Sequence, residues 1–169
     1  MIDLEEAIDS LIGKPEYEPS GDMTRCNIFV RDLVRKILGE GYSGLDGQVR
    51  DQVAELRSSA RWIELGENLD DSILCECLAV SYRVASLGPD IVVVAWQDPR
   101  PSSTNTGDIA VVSGFPPMED SSIWNMQVPY IAHAGKNPKG AIRELMSNGF
   151  QANIRNQLSF FRYPRIWPW

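Results

Sequence analysis

The spacing of apolar positions predicts an amphipathic helix that begins near Cys26. The apolar residues that recur at helical spacing behind it are Phe29, Val30, Leu33, Ile37 and Leu38. Gly39 follows the last of them, where a helix of this period would end. The pattern therefore places Cys26 in the first turn of the predicted helix.

The rest of the chain divides into helical patterns followed by strand patterns. Further helices are predicted at residues 2–12, 48–58, 70–87 and 139–147. Strands are predicted at residues 62–65, 91–96, 108–113, 128–132 and 158–163. Residues 97–106, rich in Pro, Ser, Thr and Asn, are typical of a mobile, hairpin-like loop. Helices first and consecutive strands afterwards predict an α+β domain built on an antiparallel sheet.

Composition limits the classes of protein that fit this pattern. The chain has 169 residues, of which 43% are hydrophobic and 23% charged, values typical of one globular domain spanning residues 1–169. Its formal charge of -7 argues against nucleic-acid binding, because the chain has no basic stripe to replace phosphate counterions. No stretch approaches the roughly 20 apolar residues that a membrane span needs.

The N-terminal residues predict where the protein is made. The first six residues, Met-Ile-Asp-Leu-Glu-Glu, are acidic and lack the basic and apolar regions of a signal peptide. We therefore expect synthesis in the cytoplasm, and any action elsewhere would require a dedicated export machine.

Cys75 and Cys77 carry little chemical signal. They lie two positions apart in a segment that is predicted to be helical, so their side chains would point about 200° away from each other. Such a pair cannot share one metal ion, and we expect both to be buried structural thiols. The sequence predicts neither a metal site nor a cofactor.

Cys26 is the candidate nucleophile. A thiol at a helix start is close to unpaired backbone N–H groups and to the positive end of the helix dipole, which favours its thiolate form. Cysteine nucleophiles are commonly activated in this way. Asp108, which opens a predicted strand, and His133, the only histidine, are the candidate partners.

The order of motifs resembles bacterial NlpC-type and CHAP-type cell-wall peptidases, in particular amidase domains found as effectors or in phage lysins. Residues 24–32, Thr-Arg-Cys-Asn-Ile-Phe-Val-Arg-Asp, are similar to the family's Cys-Asn-x-Phe-Val helix start. The segments Val-Val-Val-Ala-Trp at 92–96, Gly-x-Ile-Ala-Val-Val at 107–112 and Val-Pro-Tyr-Ile-Ala-x-Ala-Gly at 128–135 follow in the family's order. The resemblance covers about residues 20–163.

This resemblance implies a papain-like fold, in which a cysteine on a helix packs against a sheet that carries a histidine and a third polar residue. It implies hydrolysis of amide bonds in peptidoglycan peptides. The thiolate would attack the carbonyl, the histidine would protonate the leaving amine, and water would hydrolyse the acyl-enzyme. A chain of this kind resembles an antibacterial effector delivered to the periplasm of a target cell, with a cognate immunity protein that blocks the Cys26 cleft.

The chain departs from the family pattern at two positions. Asp108 stands where the family has histidine, and His133 stands where a polar orienting residue such as glutamine is usual. Three interpretations follow: His133 reaches Cys26 and Asp108 orients it, the site is silent and the fold serves for binding, or Asp108 itself acts as the base. A cysteine protease or deamidase acting on a cytosolic protein is a further hypothesis.

Overall fold

The computed structural model describes residues 2–21, 23–39, 41–100 and 106–165. The helices are α1 (Leu4–Asp9), α2 (Cys26–Leu38), α3 (Val49–Ser58), α4 (Asp71–Leu87) and α5 (Met146–Gly149), with 3-10 turns at Pro15–Tyr17 and Ala152–Gln157. The strands are β1 (Ile63–Gly66), β2 (Ile91–Gln97), β3 (Gly107–Val112), β4 (Glu119–Ser121), β5 (Met126–Val128), β6 (Tyr130–His133), β7 (Ile142–Leu145) and β8 (Ser159–Tyr163). The predicted α+β class is confirmed.

Local sequence explains the ends of the two longest helices. α2 begins at Cys26 and ends before Gly39, whose φ of 88° lies in the region that favours glycine. α4 begins after Asp70, whose side chain accepts a hydrogen bond from the backbone N–H of Ile73 at 2.9 Å. This contact satisfies one of the donors that a helix start leaves unpaired.

Six strands form one antiparallel sheet in the order β1-β8-β2-β3-β6-β7, and β4 pairs with β5 in a separate hairpin. β2 lies in the centre, and its residues from Ile91 to Ala95 are buried. Such a continuous apolar run is typical of a strand that is covered on both faces. The buried apolar side chains of helices and sheet form one cluster.

The helices cover both faces of this sheet. On α3, Arg57 donates a hydrogen bond to Ser159 Oγ at 3.2 Å, which places α3 on the face that Ser159 shares with its paired residue Ala95. On the other face, a Cβ added at Gly66 would lie 3.6 Å from the sulfur of Cys77 on α4. The sheet therefore separates α3 from α4.

Two of the predicted elements are wrong. Residues 139–147 form β7 and then the short α5, because Ile142 to Leu145 pair with His133 to Tyr130 at the edge of the sheet. Residues 128–132 are not one strand: Val128 ends β5, Tyr130 begins β6, and Pro129 between them has no N–H to donate to a ladder.

Two further expectations have mixed outcomes. Cys77 is buried as predicted, but Cys75 is exposed because it lies on the outer side of α4. The predicted loop at residues 97–106 falls partly outside the described residues, which omit 101–105. Among the helices of the described ranges, none combines the length and the apolar character needed to cross a membrane.

Candidate functional site

Cys26 lies where the start of α2 meets a gap between two strands. β3 and β6 pair through Val111 and Val112, near the end of β3, so Asp108 and Ile109 lie before the paired stretch. The backbone N–H of Arg25 donates to the carbonyl of Ala134 at 3.1 Å, which fastens the helix start to the chain just after β6. The sulfur of Cys26 therefore reaches the start of β3, where the backbone N–H of Ile109 donates to it.

The environment of the Cys26 sulfur is dry but contains hydrogen-bond partners. The residue is 2% exposed. Its sulfur accepts backbone hydrogen bonds from Ile109 and Asn27 and lies 3.4 Å from the hydroxyl oxygen of Thr24. These contacts would stabilise a negative charge on the sulfur.

Burial nevertheless raises the pKa of the Cys26 thiol, and the Asp108 carboxylate raises it further. The hydrogen bonds from Thr24 and Ile109 lower this pKa but do not offset desolvation. The expectation that the helix start favours the thiolate is therefore wrong here, because removal of water penalises the charged form more than the nearby donors stabilise it.

Asp108 and His133 share one face of the sheet. Ala132 pairs with Val111, so the next positions, His133 on β6 and Ala110 on β3, point to the same side. Asp108 is two residues from Ala110 and shares that side as well. This is the face covered by α4, whereas Ile109 points to the face covered by α3.

Burial raises the pKa of the Asp108 carboxyl, and the positive charges of His133 and Lys136 lower it to a smaller extent. Asp108 thus interacts electrostatically with both Cys26 and His133. In the described ranges, however, no hydrogen bond joins any two of these three side chains. Asp108 therefore acts on each of the other two through its charge, and the imidazole is not joined to the thiol.

The partner of His133 is Glu144 on β7, with 2.6 Å between Nε2 and a carboxylate oxygen. The imidazole is packed between two glycines. A Cβ added at Gly135 would lie 2.9 Å from its Cε1, and one at Gly149 would lie 3.3 Å from its Nε2. Close packing on both sides fixes the orientation of the ring toward Glu144.

A cleft of about 470 Å³ opens at the start of α2. It is bounded by residues 23–28, by the start of α3 and by the start of β3, and Cys26 is part of its wall. The side chain of Asn27 donates to the carbonyl of Gly47 at 2.8 Å, which holds the loop before α3 against the helix start. Volumes in this range are typical of small-ligand sites.

Sequence reasoning missed three residues of this region. Glu144 was not found because its segment was predicted to be helical: the apolar residues Ile142 and Leu145 lie three positions apart, as on one face of a helix. Arg25 and Lys136 both line the cleft. The sequence signal that could have identified Arg25 and Lys136 was their position next to Cys26 and Gly135, respectively.

Comparison of the chain with family models, with curated proteins and with solved structures gives no match in any of the three.

Proposed function

We propose that this chain is a papain-like domain that binds a peptide in the Cys26 cleft and does not cleave it. One observation carries the proposal. The sheet residue whose charge acts on the Cys26 thiol is Asp108, whereas the imidazole of His133 pairs with Glu144. A carboxylate next to a thiol opposes thiolate formation, and an imidazolium favours it.

The ligand class follows from the cleft and from the resemblance to cell-wall peptidases. In such enzymes the helix-start cysteine marks the position of the bound peptide, and here the same position opens into a cleft of about 470 Å³. Apolar walls from Met23, Ile28 and Val49 alternate with polar ones from Thr24 and Gln48. A peptide of the cell wall, or an extended segment of a protein, fits this mixture.

A cysteine amidase or endopeptidase acting on peptidoglycan peptides is the second candidate. It is favoured by Cys26, which lines the cleft and whose sulfur already accepts hydrogen bonds from Ile109 and Asn27. In this case the sulfur would attack the scissile carbonyl, its proton would pass through Asp108 or His133 to the leaving amine, and water would release the acid. Such an enzyme would fit an exported antibacterial effector that a cognate immunity protein blocks.

Alkylation by iodoacetamide, followed by mass spectrometry of each cysteine peptide across pH, separates the two candidates. In the binding domain Cys26 should react more slowly than exposed Cys75 and only at higher pH, because its thiol is buried and next to a carboxylate. Cys75 serves as the internal control in the same sample. A Cys26 thiol with an apparent pKa well below the usual value of about 8.5 would contradict the binding proposal and favour the hydrolase.

Incubation with purified muropeptides provides the second test. The wild type and Cys26→Ser should both bind muropeptides without cleaving them, whereas Asp108→His returns the family's histidine and should create hydrolysis that Cys26→Ser abolishes. Cleavage by the wild type that is lost in both Cys26→Ser and His133→Ala would overturn the proposal in favour of the rearranged triad.

A further inference from the structure

The Cys26 cleft has a charge opposite to that of the chain. The chain carries a net charge of -7, yet the described residues that line the cleft include Arg25 and Lys136 and no aspartate or glutamate. Within the part of the chain that the structure describes, neither cation forms an ion pair. The cleft therefore holds two positive charges without an ion-pair partner among the described residues, although the charge of Lys136 also acts on Asp108.

Arg25 has a second unusual feature. Its Nε atom is buried and has no hydrogen-bond partner among the described residues, although its backbone N–H is paired with Ala134. A buried guanidinium N–H without an acceptor is costly in a folded protein. An acceptor supplied by a bound molecule would remove this cost.

We propose that Arg25 and Lys136 select a peptide that carries a carboxylate and that they bind this group inside the Cys26 cleft. This inference rests on the proposed function. The guanidinium presents a planar set of donors that matches a carboxylate, and the lysine adds a second positive charge to the same cleft. The apolar walls at Met23, Ile28 and Val49 would accept the neighbouring parts of the peptide.

The charge of the whole chain favours a single carboxylate over a polyanion. A chain with a net charge of -7 repels ligands that carry many phosphates, and among the described residues the cleft provides two cations. One acidic residue in an otherwise neutral peptide matches both the charge and the size of the site. Arg25 and Lys136 are thus specificity residues and take no part in chemistry.

The test uses two degenerate pools of N-acetylated pentapeptide amides, one with glutamate fixed at the centre and one with glutamine. Each pool is passed over the immobilised chain, and the retained peptides are quantified by mass spectrometry. The wild type should retain the glutamate pool about tenfold more than the glutamine pool, as expected for one charge-assisted contact. Arg25→Gln and Lys136→Gln should each remove this preference.

Matched controls remove a charge outside the cleft. Lys139→Gln lies three residues from Lys136, and Arg61→Gln changes an exposed arginine between α3 and β1. Both should keep the preference for glutamate within about twofold of the wild type, because long-range screening weakens their effect. Thermal unfolding of each variant identifies those that fold. Should Arg25→Gln fail to fold, Lys136→Gln still tests the inference, because Lys136 is exposed.

The outcomes separate this inference from the function on which it rests. Equal retention of both pools by the wild type, or an unchanged preference in Lys136→Gln, would overturn the carboxylate inference and leave peptide binding intact. Retention of neither pool would overturn the proposed function and the inference with it.

Discussion

Asp108 keeps a carboxylate in an environment that disfavours its charge. Burial raises the pKa of this group in the folded chain, while in the unfolded chain it returns to about 3.9. The folded state then binds a proton more tightly than the unfolded state, so the ionised form lowers stability as pH rises above the unfolded pKa. The ionised Asp108 side chain therefore lowers the stability of the folded chain. Residues that lower stability in this way are common at functional sites.

We predict that Asp108→Asn increases the free energy of unfolding at pH 7, because the amide has a similar shape and no charge to desolvate. The gain should shrink as pH falls and vanish well below pH of about 4, where Asp108 is protonated in both states. Urea denaturation across pH measures the difference, with Asp120→Asn on the exposed hairpin as control. A less stable Asp108→Asn at pH 7 would show that the contacts of Asp108 with His133 and Lys136 outweigh its burial.

At the scale of single elements, α4 depends on its N-cap residue, Asp70. The carboxylate of Asp70 accepts a hydrogen bond from the backbone N–H of Ile73. Further along the helix, Leu74, Leu78 and Ala85 are buried against the core. A cap of this kind stabilises a helix because it pairs a donor that would otherwise be left to solvent.

Asp70→Ala should lower the free energy of unfolding by about 1 kcal/mol, since alanine cannot accept this hydrogen bond. Asp70→Asn keeps an acceptor oxygen at the same position and should cost much less. Chemical denaturation of the two variants side by side makes the comparison. Equal losses in both would mean that the charge, and not the cap, stabilises the start of α4.

The elements also show which parts of the fold were accessible from sequence. α2 and α4 were predicted because their apolar positions repeat at helical spacing, because Gly39 marks the end of α2, and because Asn68, Asp70 or Asp71 could cap α4. β7 was missed because Ala141, Arg143 and Glu144 are strong or tolerable helix formers, and pairing with β6 overrides that local preference. The break between β5 and β6 at Pro129 could be predicted from the sequence, because proline has no N–H to donate to a strand ladder.

At the scale of the whole molecule, α1 is attached to the sheet through Glu5. This carboxylate accepts hydrogen bonds from Ser113 Oγ at 2.8 Å, from the backbone N–H of Gly114 at 2.7 Å and from Arg143 at 2.8 Å. Arg143 also pairs with Asp9 at the other end of α1. One side chain thus connects the first helix, the end of β3 and the edge strand β7.

Glu5→Gln should cost about 1.5–3 kcal/mol of unfolding free energy, because the amide weakens three contacts that depend on a charged acceptor. Glu6→Gln, an exposed neighbour on the same helix, should change stability by less than about 0.5 kcal/mol. Urea unfolding monitored by tryptophan fluorescence compares them. Equal stability of the two variants would mean that the hydrogen bonds around Glu5 contribute little to the free energy of unfolding.

The candidate site was only partly predictable at this scale. The sequence indicated Cys26, Asp108 and His133, and the structure brings Asp108 near both others. The side of the sheet that each residue occupies depends on the register between β3 and β6, which no local pattern encodes. The same register determines that the histidine meets Glu144.

The hydrogen bond from Ile109 to the Cys26 sulfur has a practical consequence for mutagenesis. The usual alanine exchange at a suspected nucleophile would leave this main-chain amide buried with no acceptor, at a cost of about 1–3 kcal/mol. A lost phenotype in that mutant would then report damage to the scaffold as readily as missing chemistry. Serine retains an oxygen at the same place that can accept this hydrogen bond. Of the two exchanges, serine is therefore the one that separates the chemical role of the thiol from its contribution to stability.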